Sequence, residues 1–266
     1  MPQIRRFSCA LVTGASAGLG EEFVLQLAPR VDSFVLVARR EDRLNDLSAA
    51  VRARHPGKHV EVIAADLSRP EEVARILEHL AGRGLAPDLL VNNAGLGDYG
   101  EFASSDWPRV EAMLRVNIEA LTRLTHGVLP GMVRRGGGAV INISSLASTL
   151  PIPDIAVYSA TKAYVTSFSE ALRVELRDYN IPVVAVCPGP VKTEFGEVAR
   201  RSEGDAIPMN AAFYVDKEQV VSESLAALDT DRARVYPGLK VAIVAAVITA
   251  LPMFAIRMII SRRPRR

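Results

Sequence analysis

Two patterns of apolar residues alternate along the chain. Short, mostly apolar runs at 7–12, 34–38, 60–64, 88–91, 139–143, 183–187 and 233–236 read as buried strands. Between them lie longer stretches with apolar residues three and four apart, which predict helices from the glycine turn to residue 28, over 41–53, from 68 onward, over 106–135, up to about 179, and over 216–228. Strands joined by helical crossovers pair in parallel, with helices covering both faces of the sheet. The pattern therefore predicts an α/β fold with a single doubly wound parallel sheet of about seven strands and helices on both faces.

Local signals refine this layout. Ser68, Pro70 and Glu71 form a capping-box pattern, in which Glu71 reaches back to the Ser68 backbone. Gly136-Gly137-Gly138 ends the long helix, and Asn117 sits inside it, where asparagine is a poor helix former that either bends the helix or serves another purpose. The segment 194–215 is polar with weak periodicity and reads as a lid beside the ligand edge. Residues 239–260 read as an apolar helix, with Pro252 breaking or kinking it, and the sixteen residues from Val241 to Ile256 carry no charge. Such a helix must be covered. Burial against a partner subunit in a homo-oligomer (dimer or tetramer) is the first reading, a membrane surface attracted to the Arg262, Arg263, Arg265, Arg266 cluster the second, and a full span the third.

Composition narrows the setting. At 266 residues and 49% hydrophobic content the chain supports one large core, divided as a catalytic domain over 1–238 and the apolar helix with its basic tail over 239–266. A net charge of +2 gives no nucleic-acid footprint. Cys9 and Cys187 in apolar runs make no disulfide framework, His55, His59, His79 and His126 lack metal-ligand spacing, and no secretory signal precedes the first strand. The expectation is a cytoplasmic protein, with a membrane periphery as the variant reading, and no metal.

The candidate chemistry lies at strand ends. Thr13-Gly14-Ala15-Ser16-Ala17-Gly18-Leu19-Gly20 joins the first strand to a helix, the context in which glycines let backbone approach a pyrophosphate at a helix N-terminus, as in Rossmann-like folds. The second strand ends in Ala38 and Arg39-Arg40 instead of an acidic residue. A guanidinium there suits a 2′-phosphate and argues for NADP over NAD, the alternative being a solvated basic pair before Glu41-Asp42. Tyr158 and Lys162 are four apart on a helix, so they share a face, and an ammonium near the phenol would lower its pKa.

These motifs together identify the chain as resembling the short-chain dehydrogenase/reductases over about residues 7–238. Thr13 to Gly20 fits the cofactor glycine pattern, Asp66 the adenine-contacting acid, Asn92-Asn93-Ala94-Gly95 the Asn-Asn-Ala-Gly element, and Tyr158 to Lys162 the Tyr-x-x-x-Lys pair, with Ser145 thirteen residues before Tyr158 and Asn117 as the helix asparagine. The resemblance implies NADP (NADPH) held by Gly14, Ser16, Gly18, Leu19, Gly20, Arg39, Asp66, Leu67, Asn93, Ala94, Gly95, Tyr158, Lys162, Pro188, Gly189, Val191 and Thr193. It also implies catalysis by Asn117, Ser145, Tyr158 and Lys162. In that scheme Tyr158 is the acid/base, Lys162 lowers its pKa and holds the nicotinamide ribose, Ser145 stabilises the carbonyl oxygen, and Asn117 supports Lys162 through a water. The implied activity is hydride transfer to or from a small-molecule carbonyl or alcohol. Leu146, Leu150, Ile152, Phe195 and Phe213 favour a hydrophobic substrate. The competing readings are a non-catalytic dinucleotide sensor of the same fold and a nucleotide-sugar epimerase, which would need a separate substrate domain.

Overall fold

The computed structural model describes residues 4–201 and 213–261. Among them, seven strands form one sheet: β1 (Phe7–Thr13), β2 (Val31–Ala38), β3 (His59–Ala64), β4 (Leu89–Asn92), β5 (Ala139–Ile143), β6 (Val183–Val186) and β7 (Arg234–Val235). Their order is 3-2-1-4-5-6-7, and every pairing is parallel. Parallel neighbours need long crossovers. These are α1 (Gly18–Leu27), α2 (Glu41–Arg54), α3 (Pro70–Gly82), α4 (Trp107–Leu114) running on into α5 (Leu121–Arg135), α6 (Ala156–Glu175), and α7 (Phe195–Val198) with α8 (Lys217–Asp229). The doubly wound sheet expected from the apolar runs is the one observed.

The strand period of two divides the core. Ala10 and Val12 of β1 face a layer built from Val24 and Leu27 of α1, Leu44 and Leu47 of α2, and Val221 and Leu225 of α8. Cys9 and Leu11 face the opposite layer, with Val73 and Ile76 of α3, Leu124 and Val128 of α5, and Leu172 of α6. Both cysteines are buried and unbridged. A polar thread crosses this apolar interior: Asn92 Nδ2 donates to Thr125 Oγ1 (2.9 Å) and Asn142 Oδ1 (2.8 Å), and Asn142 Nδ2 donates to Ser169 Oγ (2.8 Å). It ties β4 and β5 to α5 and α6.

Several local expectations change. The capping box does not form: α3 starts at Pro70 with no side-chain cap, and Glu72 instead accepts the Asp66 N–H (2.9 Å) while Asp66 accepts from Ser68. Asp216 precedes α8 but its side chain makes no capping bond. The helix carrying Asn117 widens into a π-turn over Arg115–Ala120, a bulge that lets the side chain leave the helix for other partners. The apolar run from 239 is two helices, α9 (Leu239–Ala250) and α10 (Met253–Ser261), broken at Pro252. Among the described residues no helix is long and apolar enough to cross a membrane. Part of the lid expected over 194–215 and the 262–266 basic cluster lie outside the described residues.

Candidate active site

The strand order reverses between β1 and β4, and the loops that follow them diverge, leaving a crevice at the carboxyl edge of the sheet. The glycine loop forms one wall. Gly14 and Gly18 hold φ of 65° and 59°, in the left-handed region that favours glycine. A Cβ on Gly14 would lie 2.8 Å from Asn93 Nδ2 and 2.9 Å from Ala94 Cα, and one on Gly20 would meet the Gly14 carbonyl oxygen. The loop is clamped from β4: Asn93 Nδ2 donates to the carbonyls of Thr13 (2.9 Å) and Gly14 (3.2 Å), and the Asn93 and Ala94 N–H groups donate to Thr13 Oγ1 (3.0 Å each). With α1 starting at Gly18 and lacking a side-chain cap, bare backbone and unpartnered first-turn N–H groups stand together at this wall.

At the next two strand ends, Arg39 is exposed on the rim and Asp66 lines the cleft below it. Partial burial pushes the Asp66 carboxyl up, but the Ser68 N–H and hydroxyl (3.0 and 2.8 Å) and the Arg39 and Arg69 charges bring it below its usual range. Arg40, the second residue of the basic pair after β2, pairs with Glu194 at 2.7 Å and reaches Ser16 Oγ at 3.3 and 3.4 Å. It ties the end of β2 to the start of α7. Its partner lies far along the chain, so no local signal could have found it.

β5 delivers two serines of opposite fate. Ser144 is buried, its hydroxyl bonded to the Lys162 carbonyl (2.8 Å) and Thr166 Oγ1 (2.6 Å), whereas Ser145 borders the cleft and accepts the Ala147 N–H (3.1 Å). Tyr158 and Lys162 follow one turn apart on α6, with Lys162 Nζ 5.8 Å from the Tyr158 ring centroid. The ammonium donates to the Ile143 carbonyl (2.8 Å). Here the electrostatics differ from the sequence expectation. Burial pushes the Tyr158 phenol up to about 12, with the Ser145 hydroxyl pulling the other way, and burial pushes Lys162 down to about 8. The pairing does not lower the tyrosine: burial raises the phenol further than the Ser145 hydrogen bond lowers it, and Lys162, titrating at about 8, has lost its charge before the phenol gives up its proton.

Asn117 lies behind this floor. Its Oδ1 accepts the Leu96 N–H (2.8 Å), and its Nδ2 donates to the Leu96 carbonyl (2.9 Å) and Thr161 Oγ1 (3.0 Å). A Cβ on Gly95 would lie 3.3 Å from Lys162 Nζ and 3.4 Å from Asn117 Oδ1, so both groups close on that glycine. Pro188, Gly189, Val191 and Thr193 follow β6 along the opposite wall, and Val191 pairs with Val215, so the intervening segment leaves and returns at neighbouring points.

These elements bound a cleft of ≈ 1590 Å³ that brings together every sequence-predicted site residue except Gly20 and Asn117, which support it from behind. Of the apolar residues expected around a substrate, Leu146, Leu150, Ile152 and Phe195 line it; Phe213 does not, and its neighbour Tyr214 does. Phe195 also packs on Tyr158, ring centroids 5.7 Å apart. Sequence reading missed that contact.

A parallel sheet with this switch point, a glycine cradle on β1 and ionisable side chains from β5 and α6 defines a doubly wound dinucleotide-type α/β protein. The chain belongs to the short-chain dehydrogenase family, whose model matches residues 8–204. It is 34% identical over 196 residues to the very-long-chain 3-oxoacyl-CoA reductase of Bos taurus, covering 72% of this chain and 62% of that protein. It thus spans less than two thirds of the length of that relative. It is 33% identical to sulfoacetaldehyde reductase 2 of Chromohalobacter salexigens over 82% of this chain and 85% of the relative. Among solved structures, a short-chain dehydrogenase from Sphingobium yanoikuyae in complex with NADPH superposes with a TM-score of 0.80 at 31% identity, over 97% of both chains.

Proposed function

We propose that the protein is an NADP(H)-dependent oxidoreductase acting as a carbonyl reductase on a hydrophobic ketone or aldehyde, with residues 1–238 as the catalytic domain. The observation that carries this reading is the meeting of Ser145, Tyr158 and Lys162 on the floor of the cleft whose far wall is the glycine cradle. The residues fit the cofactor. Gly14, Gly18 and the start of α1 would take the diphosphate, Arg39 the 2′-phosphate, Asp66 the adenine side, and Thr193 with Lys162 the nicotinamide end. The cofactor, when bound, supplies or accepts the hydride.

The chain's own groups handle the proton and the oxygen. A phenol pushed up to about 12 is protonated at neutral pH, so Tyr158 stands ready to give its proton to an alkoxide forming on the substrate carbonyl. Ser145 donates a hydrogen bond to the same oxygen and stabilises its growing charge. Lys162, still mostly an ammonium at pH 7, adds positive charge beneath. Asn117 fixes the Leu96 backbone and Thr161, and so positions the helix turn that carries both. The apolar wall and the similarity to a reductase of very-long-chain 3-oxoacyl-CoA support a long or bulky apolar substituent on the substrate. The intact serine, tyrosine and lysine set argues against a non-catalytic sensor.

The test follows NADPH and NADH oxidation with long-chain 3-oxoacyl thioesters, bulky ketones and small polar aldehydes. Turnover with NADPH and an apolar carbonyl is expected. Arg39→Ala is expected to weaken NADPH binding by about 1.5–3 kcal/mol and leave NADH unchanged. No turnover across the panel would contradict the assignment, and equal loss for both cofactors would make Arg39 structural.

A further inference from the structure

The helices α9 and α10 carry apolar side chains on two sides at once. Inward, Val241 and Ala245 are fully buried, Val241 packs beneath Gly189, and Ile256 is 5% exposed. Ile248 and Ile260 reach the wall of the active cleft. Outward, Leu239, Ile243 and Val247 repeat at a spacing of four along α9, and Phe254 and Met258 do the same on α10. Ile243 and Val247 are each 56% exposed and Phe254 65%, so each of the two helices turns an apolar stripe out of the molecule.

Charge identifies what covers it. Residues 239–266 contain six of the 32 basic residues, Lys240, Arg257, Arg262, Arg263, Arg265 and Arg266, and none of the 30 acidic ones. The remainder of the chain, with 26 basic against those 30 acidic residues, is net negative at −4. An apolar stripe set in a purely cationic segment, on an anionic body, complements an apolar layer beneath negative headgroups. It fits a second copy of this chain poorly, because a two-fold axis that brought two such faces together would set the exposed Lys240 and Arg257 of one copy against the like charges of the other. The segments are also the wrong length to span. α9 has 12 residues and α10 has 9, separated by the Pro252 break, against the roughly 20 a spanning helix needs.

We propose that the outward face of α9 and α10, centred on Ile243, Val247 and Phe254, docks this protein on the surface of an anionic lipid bilayer. Docking in this way sets the cleft wall formed by Ile248 and Ile260 next to lipid. Read together with an apolar carbonyl substrate, a step that rests on the proposed function, substrate passes from the bilayer into the cleft without crossing bulk water.

The experiment is flotation of the full chain with phosphatidylcholine vesicles, with and without phosphatidylserine, at low and high salt. It is run beside the triple variant Ile243→Glu, Val247→Glu, Phe254→Glu. These three side chains face solvent and lie outside the cleft, so turnover of a water-soluble ketone is expected to be the same in both proteins. The wild-type chain is expected to float with phosphatidylserine vesicles, to do so less at high salt, and to lose at least about tenfold of its bound fraction in the variant. The salt arm uses the unaltered protein and holds even where the variant folds poorly. Absence of flotation with phosphatidylserine vesicles, or flotation that the three glutamates leave unchanged, overturns the proposal. So does a wild-type dimer that the variant converts to monomer, which assigns the face to a second copy. Flotation is read without turnover, so an inactive but floating protein contradicts the proposed reaction and leaves the docking surface standing.

Discussion

Burial moves the two ionisable groups of the site in opposite directions, raising Tyr158 and lowering Lys162, which sets an expectation for how the proposed reaction depends on pH. In the proposed reaction, reduction uses a protonated Tyr158 and a charged Lys162. Tyr158 keeps its proton up to about 12, so the limit on the alkaline side is Lys162, which loses its charge through about 8. For carbonyl reduction, kcat/KM of the free enzyme is therefore expected to be level through neutral pH and to fall as pH rises past about 8. A profile that climbs through that region would contradict the assignment of the ammonium to the site. The spacing of Tyr158 and Lys162 was plain in the sequence, because two residues four apart on a helix share a face wherever the helix sits. The direction of the tyrosine shift was not, since it depends on how completely Leu146 to Phe195 close over the phenol. The Arg40–Glu194 pair was hidden because its partners lie 154 residues apart in the chain.

The end of α7 is held by one cluster of contacts. Asp98, whose side chain is 5% exposed, accepts from Arg201 Nη2 at 2.6 Å and Nε at 3.0 Å and lies 3.5 Å from Arg109 Nε. Arg109 in turn donates to the Val198 and Arg200 carbonyls at the end of α7 (3.1 Å each). Asp98→Ala leaves two guanidinium groups side by side without their buried acceptor, and is expected to cost about 3 kcal/mol in urea unfolding. It is also expected to raise KM for an apolar carbonyl, because Phe195 is no longer held over Tyr158. A loss within about 0.5 kcal/mol would place the cluster with ordinary surface pairs. Strands and crossover helices were legible here because a buried parallel strand is mostly apolar on both faces, as β6 (Val183–Val186) is. Helix starts were less so. Ser68 and Glu71 have the capping-box spacing, but Pro70 begins α3 one residue later and Glu72 takes the Asp66 N–H. The π-turn at Asn117 could be anticipated only as an asparagine out of place.

At the scale of the whole molecule, one sheet sets the positions of all the candidate chemistry. The β1/β4 switch point opens the crevice, β1 and α1 supply the cradle, and β5 and α6 deliver the serine, tyrosine and lysine to its floor. That plan was readable in the order of the motifs, since the glycine loop, Arg39, Asp66, Asn93 and Ser145 each follow a strand and Tyr158 and Lys162 lie on the helix after Ser145. Substrate choice was not, because the wall that would recognise it is assembled from the 146–155 loop, α7, Tyr214, Ile248 and Ile260, which meet only in the fold. The proposed reaction rests on Tyr158 moving the proton. Tyr158→Phe keeps the ring and its packing on Phe195 and removes only the hydroxyl. NADPH binding by fluorescence titration is expected to survive within a few-fold, while single-turnover reduction of the best carbonyl substrate falls by about two orders of magnitude or more. Near-normal turnover in the Tyr158→Phe protein, with NADPH bound, would show that Tyr158 does not move the proton.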